Sequence, residues 1–191
     1  MRCFGEGDSL MEAYHDEEWG MPVLDERGLF ERMCLEAFQS GLSWRTILNK
    51  RDAFRAAFAG FDPDAVARFG DADIARLLAD AGIVRNRAKI EATLANARAT
   101  VALRGSGEPL EAVIRRHAPA PQQPAPVAWT DARSKTPETI ALARELKRAD
   151  FRFVGPTTLY ALMQACGLVN DHLAGCPTRA GVERARRAAG L

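Results

Sequence analysis

The stretch Phe151–Cys176, FRFVGPTTLYALMQACGLVNDHLAGC, constrains this chain more than any other. Gly155 tolerates backbone angles that other residues resist, and Pro156 suits the first position of a helix, where its missing N–H costs nothing. A helix is therefore predicted from Pro156, with Leu159, Leu162, Met163 and Cys166 on one buried face and Gly167 as a left-handed cap. Upstream, Pro137–Ala149 carries the apolar periodicity of a second helix, so Phe151–Gly155 becomes the link of a hairpin. Two readings of that hairpin stand: a plain antiparallel pair, common in helical domains, or a helix-hairpin-helix whose free amides face a phosphate.

A chain of 191 residues, 47% of them hydrophobic, can bury one sizeable core, and a single domain over 1–191 is expected. The formal net charge of +1 provides no global field, so any nucleic-acid surface has to be local. No stretch approaches the ~20 apolar residues that cross a bilayer, and MRCFGEGDSL lacks the basic start and apolar run of a signal peptide. The expectation is a cytoplasmic protein without a membrane partner, in whose reducing surroundings four cysteines serve packing or metal binding.

Elsewhere the helical signals recur. Leu29–Gly41 shows one broad apolar stripe that includes Cys34, and Glu36 falls at its border. Such a carboxylate either faces a cleft or pairs with Arg32 four residues earlier on a solvated flank. Ser43 is placed to cap the next helix, Trp44–Phe58, with Trp44 in its first turn. Asp62 and Pro63 start another, and Ile74–Ala81 and Ala88–Leu103 flank the turn GIVRN. The cations Arg85, Arg87 and Lys89 near that last helix start either hold phosphates or form a solvated basic face. The polar and aromatic run AYHDEEWGMP reads as an ordered loop, in which Tyr14 and Trp19 either line a polar cleft or act as half-buried anchors. Residues 118–130 contain four prolines and read as an extended surface connection. The tail 178–191 is helical or frayed, and the fold class is all-α.

Cys34 and Cys166 lie on apolar helical faces and His117 approaches the proline-rich run, which leaves Cys3, His15, His172 and Cys176. The set has the composition of a closed tetrahedral zinc site that would tie the chain ends together. The eleven residues between Cys3 and His15 and the bare H-x-x-x-C pair leave zinc and no metal both open.

In order along the chain stand C-x11-H, AYHDEEWG, LEAFQSGLSW, AGIVRNRAKI, FRFVGPTTLYALMQACGLVNDH and H-x-x-x-C. Together they resemble the 3-methyladenine DNA glycosylase I family, over nearly the whole chain. The resemblance implies a helix-hairpin-helix glycosylase fold with structural zinc on Cys3, His15, His172 and Cys176. It implies a monofunctional enzyme that hydrolyses the N-glycosidic bond of 3-methyladenine in alkylated double-stranded DNA, acting as a monomer. Glu36 would recognise the excised base and count as the catalytic residue, Trp44 would stack on it, and Tyr14 would line the pocket. Phe4 and Met11 stand where the family commonly has tryptophan and tyrosine, a change in the base pocket. Gly155, Pro156 and Thr157 would hold the DNA backbone. Asp171 either orients the metal site or takes part in chemistry. The competing expectations are a zinc-stabilised DNA-binding domain without catalysis and a helical protein-interaction domain.

Overall fold

A computed structural model describes residues 1–121 and 124–191. Among them the chain forms ten α-helices and no strand: α1 Ser9–Glu17, α2 Glu26–Gln39, α3 Trp44–Ala57, α4 Pro63–Ala67, α5 Asp71–Ala79, α6 Arg87–Gly105, α7 Leu110–Arg116, α8 Pro137–Arg148, α9 Pro156–Ala165 and α10 Arg179–Ala188. The starts follow side-chain chemistry. Asp25, Ser43, Asp62, Asn86 and Thr136 each accept a hydrogen bond from a free amide of the first turn that follows. No helix of the described residues is long and apolar enough to cross a membrane.

The principal core gathers Leu29, Phe30, Met33 and Phe38 of α2, Phe54 of α3 with Phe58 at its C-terminal cap, Ile90 and Leu94 of α6, and Leu159, Leu162 and Met163 of α9. A smaller cluster of Tyr14, Trp19, Leu48 and Ala165, with Cys3, Phe4, Met11 and Trp44 packed on it, joins the N-terminal segment to the end of α9. Gly167 ends that helix at φ +72°, and a Cβ there would stand 2.6 Å from the carbonyl oxygen of Gly20. Only glycine permits both the turn and this approach.

Several expectations change. Residues 13–17 of the supposed loop AYHDEEWGMP belong to α1, because Asp8 accepts from the Met11 amide and starts a helix the charged composition obscured. The tail is helical, its Val182 fully buried and its Arg186 guanidinium donating to the carbonyls of Gly167 and Leu168. Lys89 is no phosphate ligand: it is 7% exposed, and its ammonium donates to the carbonyls of Phe38 and Ser40, capping the end of α2. Arg87 pairs with Glu91, so of the three cations only Arg85 is exposed without an ion-pair partner among the described residues. The proline-rich connection includes 122–123, which lie outside the described residues. Its flanks are not helical apart from a 3-10 turn at Trp129–Asp131, and they dock where the Ala174 amide donates to the Pro126 carbonyl at 2.7 Å.

Candidate active site and metal cluster

The α8–α9 hairpin is held from the side. Asn96 of α6 accepts from the Arg152 amide at 2.7 Å and donates to the Arg152 carbonyl at 3.0 Å, which fixes the link while Asp150 and Phe153 take positive φ. Gly155 has no side chain with which to cap α9, and Pro156 has no amide proton. The Thr157 and Thr158 amides have no protein acceptor among the described residues, and Thr157 is exposed. A helix start of this kind carries partial positive charge and unsatisfied donors.

Beside the hairpin lies a cavity of about 480 Å³, lined by Phe4, Met11, Tyr14, Trp19, Glu36 and Trp44 together with Cys3, Gln39, Trp129, Ala161 and Gln164. Every residue assigned to base contact from the sequence therefore meets in one space. The Tyr14 and Trp44 rings are 5.3 Å apart, and Phe4 lies edge-on to Trp19 at 4.8 Å and to Trp129 at 5.6 Å. The indole N–H of Trp44 is buried without an acceptor among the described residues. Trp129, 49% exposed, is the most solvent-accessible aromatic of the lining.

Glu36 is 7% exposed and makes no hydrogen bond or ion pair among the described residues. The Arg32 pairing that the sequence allowed is absent, because Arg32 donates to Glu18 at 2.9 Å, and Arg51 holds the same carboxylate through two nitrogens at 2.6 and 2.8 Å. Arg32 instead stands over the Tyr14 ring, 5.9 Å from its centroid. Burial pushes the Glu36 carboxyl up to about 8, with Arg32 pulling the other way. Burial, and then the neighbouring Glu36, push the Tyr14 phenol up as well, so it stays a donor. An unpaired carboxyl among aromatic rings is costly unless a ligand supplies the missing partner.

The four leftover ligands also converge: one donor atom each from Cys3, His15, His172 and Cys176 lies within 4.8 Å of the others. Zinc with bonds of about 2.3 Å to sulfur and about 2.0 Å to nitrogen would set sulfur and nitrogen ligands about 3.5 Å apart. Cys3–His172, Cys176–His15 and Cys176–His172 stand at 3.6, 3.5 and 3.4 Å. The outer ring nitrogens complete the fit. His15 Nδ1 meets Asp16 at 2.7 Å and His172 Nε2 meets the Trp19 carbonyl at 2.9 Å, so each can donate outward and leave its inner nitrogen as a lone pair. Asp171 is not part of this shell. Its carboxylate accepts from the Tyr160 hydroxyl at 2.7 Å and from Gln164 Nε2 at 2.9 Å.

No sequence-based assignment covers Gln39, Trp129, Ala161 or Gln164, while Trp19, expected with Tyr14 either to line a cleft or to act as an anchor, lines the pocket. Gln164 did carry a signal, as the one polar residue of the helical run YALMQACG, on the side away from Leu159, Leu162, Met163 and Cys166. Trp129 sits in a proline-rich run with no period to place it.

Comparison with known proteins gives a consistent family. A family profile described as methyladenine glycosylase matches residues 4–180. DNA-3-methyladenine glycosylase 1 of Escherichia coli (strain K12) is 46% identical over 170 residues, 88% of this chain and 91% of that protein. Among solved structures, a 3-methyladenine DNA glycosylase I superposes with a TM-score of 0.88 at 44% identity, covering 93% of this chain and 98% of the other. A single-site variant of a 3-methyladenine DNA glycosylase I, solved in complex with 3-methyladenine, superposes with a TM-score of 0.87 at 31% identity, covering 93% and 96%.

Proposed function

The chain belongs to the methyladenine glycosylase family, and we propose on that basis that it is a base-excision repair enzyme hydrolysing the N-glycosidic bond of 3-methyladenine in alkylated DNA. The products are the free base and an abasic site. One observation carries the assignment to this pocket: Glu36, a buried carboxyl without a partner, faces a cavity of base-holding size walled by Tyr14, Trp44 and Phe4.

Methylation at N3 makes the nucleotide's adenine a cation, so its bond to the sugar is weak and departure needs little help from an acid. The protein's task is to extract, recognise and hold. Extraction from the stack costs a few kcal/mol, offset by stacking on Trp44 and by hydrogen bonds within the pocket. An electron-poor base favours both an aromatic face and an ionised Glu36, and normal adenine gains neither advantage. Entry of the cation supplies the partner Glu36 lacks and draws off its proton, so recognition and ionisation are linked. Glu36 thus favours the charged lesion, while Phe4 and Met11 shape the edge of the pocket.

Gly155, Pro156 and Thr157 would receive backbone phosphates of double-stranded DNA at the unsatisfied amides of α9, with affinity falling as salt rises. Cys3, His15, His172 and Cys176 would hold zinc in a closed structural site, which has no coordination position for substrate.

Incubation with duplex DNA methylated at adenine, followed by identification of the released base by mass, tests the assignment. Free 3-methyladenine with an abasic strand is the expected result. Retention of the methylated duplex with no base released would instead identify a binding domain.

A further inference from the structure

The attacking water needs a place, and one polar side chain in the pocket is held as such a place requires. Gln164 lines the base pocket, and its Nε2 donates to Asp171, a carboxylate that offers acceptors only. That bond fixes the amide's orientation and leaves Oε1 as an acceptor without a protein partner among the described residues. Asp171 is itself 3% exposed and held by the Tyr160 hydroxyl, so the Gln164 amide is set by a buried network.

Position adds the second constraint. A neighbouring cavity of about 290 Å³ is lined by Thr157, Tyr160, Arg133 and Ser134, and it shares Trp129, Ala161 and Gln164 with the base pocket. Thr157, Ala161 and Gln164 recur at the spacing of one face of α9, about 10 Å from first to last along the axis. With phosphate at the helix start and base in the pocket, the sugar crosses between the two cavities. Ala161, small enough to leave room, and Gln164 line both cavities, so the sugar carbon that bears the base would pass beside them.

We infer that Gln164, oriented by Asp171, holds the water that attacks C1′ of the extruded nucleotide; the inference rests on the glycosylase reading above. The C1′–N9 bond breaks with its electron pair passing to the base, which leaves as neutral 3-methyladenine. The water oxygen bonds to C1′, and the proton it sheds passes to solvent water. An amide oxygen cannot take that proton, so Gln164 positions the nucleophile and does not act as a base. Asp171, one hydrogen bond further out, raises the negative charge on Oε1 and opposes the positive charge developing on the sugar. Asp171 is thus a positioning residue.

Single-turnover base release from methylated duplex DNA, with enzyme in excess, is compared for wild type, Gln164→Leu and Asp171→Asn. Affinity for free 3-methyladenine is read in parallel from tryptophan fluorescence, and capture of the sugar is followed with methanol as a competing nucleophile. Release should slow by about tenfold or more in Gln164→Leu and less in Asp171→Asn, with free-base affinity within about twofold of wild type. The methyl glycoside should take a larger share of product in both variants, a change that general loosening of the fold does not produce. Wild-type release by Gln164→Leu would overturn the inference. So would an unchanged methanol share, or a loss of free-base affinity matching the loss of rate, which would make Gln164 a base contact. Absence of base release by the wild type would sink the glycosylase reading itself, a separate outcome.

Discussion

Replacing Glu36 by glutamine keeps the shape of the pocket wall and removes a charge whose state depends on pH. Burial raises the carboxyl from its ordinary 4.5 to about 8. The folded protein therefore keeps a proton that the unfolded chain releases, and stability falls as pH rises from 4.5 through about 8. At about 1.36 kcal/mol per pH unit, the full cost is on the order of 4–5 kcal/mol, reached only above pH 8. Glutamine carries no such cost. Glu36→Gln should then melt at a higher temperature than wild type at pH 9 and at the same temperature near pH 4.5. Activity should move in the opposite sense. A hydrogen bond to the ionised group is worth roughly 1.5–3 kcal/mol, so at pH 9 the variant should lose about ten- to a hundredfold in kcat/KM. At pH 6 only about one wild-type molecule in a hundred carries the free-pocket anion, and the two proteins should converge. The assay is base release below KM at pH 6, 7, 8 and 9, corrected for spontaneous depurination, with melting curves in the same buffers. A flat wild-type profile, or wild-type rates from the variant at pH 9, would refute the argument that an ionised Glu36 reads the cationic base.

Purified protein should contain one zinc per chain, and His172→Ala should lose the metal and lower Tm; metal-free protein with an unchanged melting temperature would remove the clasp from the account. Borohydride should trap no covalent enzyme–DNA adduct, because no lysine lines the pocket and the ammoniums of Lys50 and Lys89 are bound to carbonyls; a trapped adduct contradicts this. Asn96→Ala should cost about 1–2 kcal/mol of stability and weaken binding of undamaged duplex while leaving free-base affinity intact. Duplex affinity equal to wild type would show that the hairpin link does not need its clamp.

Local chemistry made much of this fold readable. Ser43, Asp62–Pro63, Gly155–Pro156 and Gly167 mark their helix ends in the sequence and in space, because caps and turns depend on neighbours one to four residues away. Helix α1 is obscured because Ala13–Glu17 are mostly polar and run straight into the turn that follows. Lys89 escaped for another reason: its partners are the carbonyls of Phe38 and Ser40, about fifty residues distant, and no periodicity records them. Placing Glu36 at the stripe's border was sufficient to nominate it. Its freedom from a direct Arg32 pair depends on Glu18, to which that arginine donates instead. Gln164 and Trp129 join the pocket only through tertiary contact, as does the pairing of Asp171 with Tyr160 and Gln164 in place of the metal shell.

The contact between chain ends has a consequence for the order in which the protein can be made. Phe4, Met11 and Tyr14 leave the ribosome first, yet they sit on a segment anchored by His172 to the Trp19 carbonyl and by the Leu173 amide to Cys3. Until synthesis reaches about residue 176, that segment lacks its C-terminal partners and rests on α2 and α3 alone, through Leu48, Trp44 and the pairs of Glu18 with Arg32 and Arg51. A chain stopped short of that point, after Gln164, would hold every pocket-lining residue and lack the clasp that fixes the N-terminal ones. The anchors that His172 and Leu173 give to the Phe4–Tyr14 wall of the pocket are thus the last part of that wall to be made.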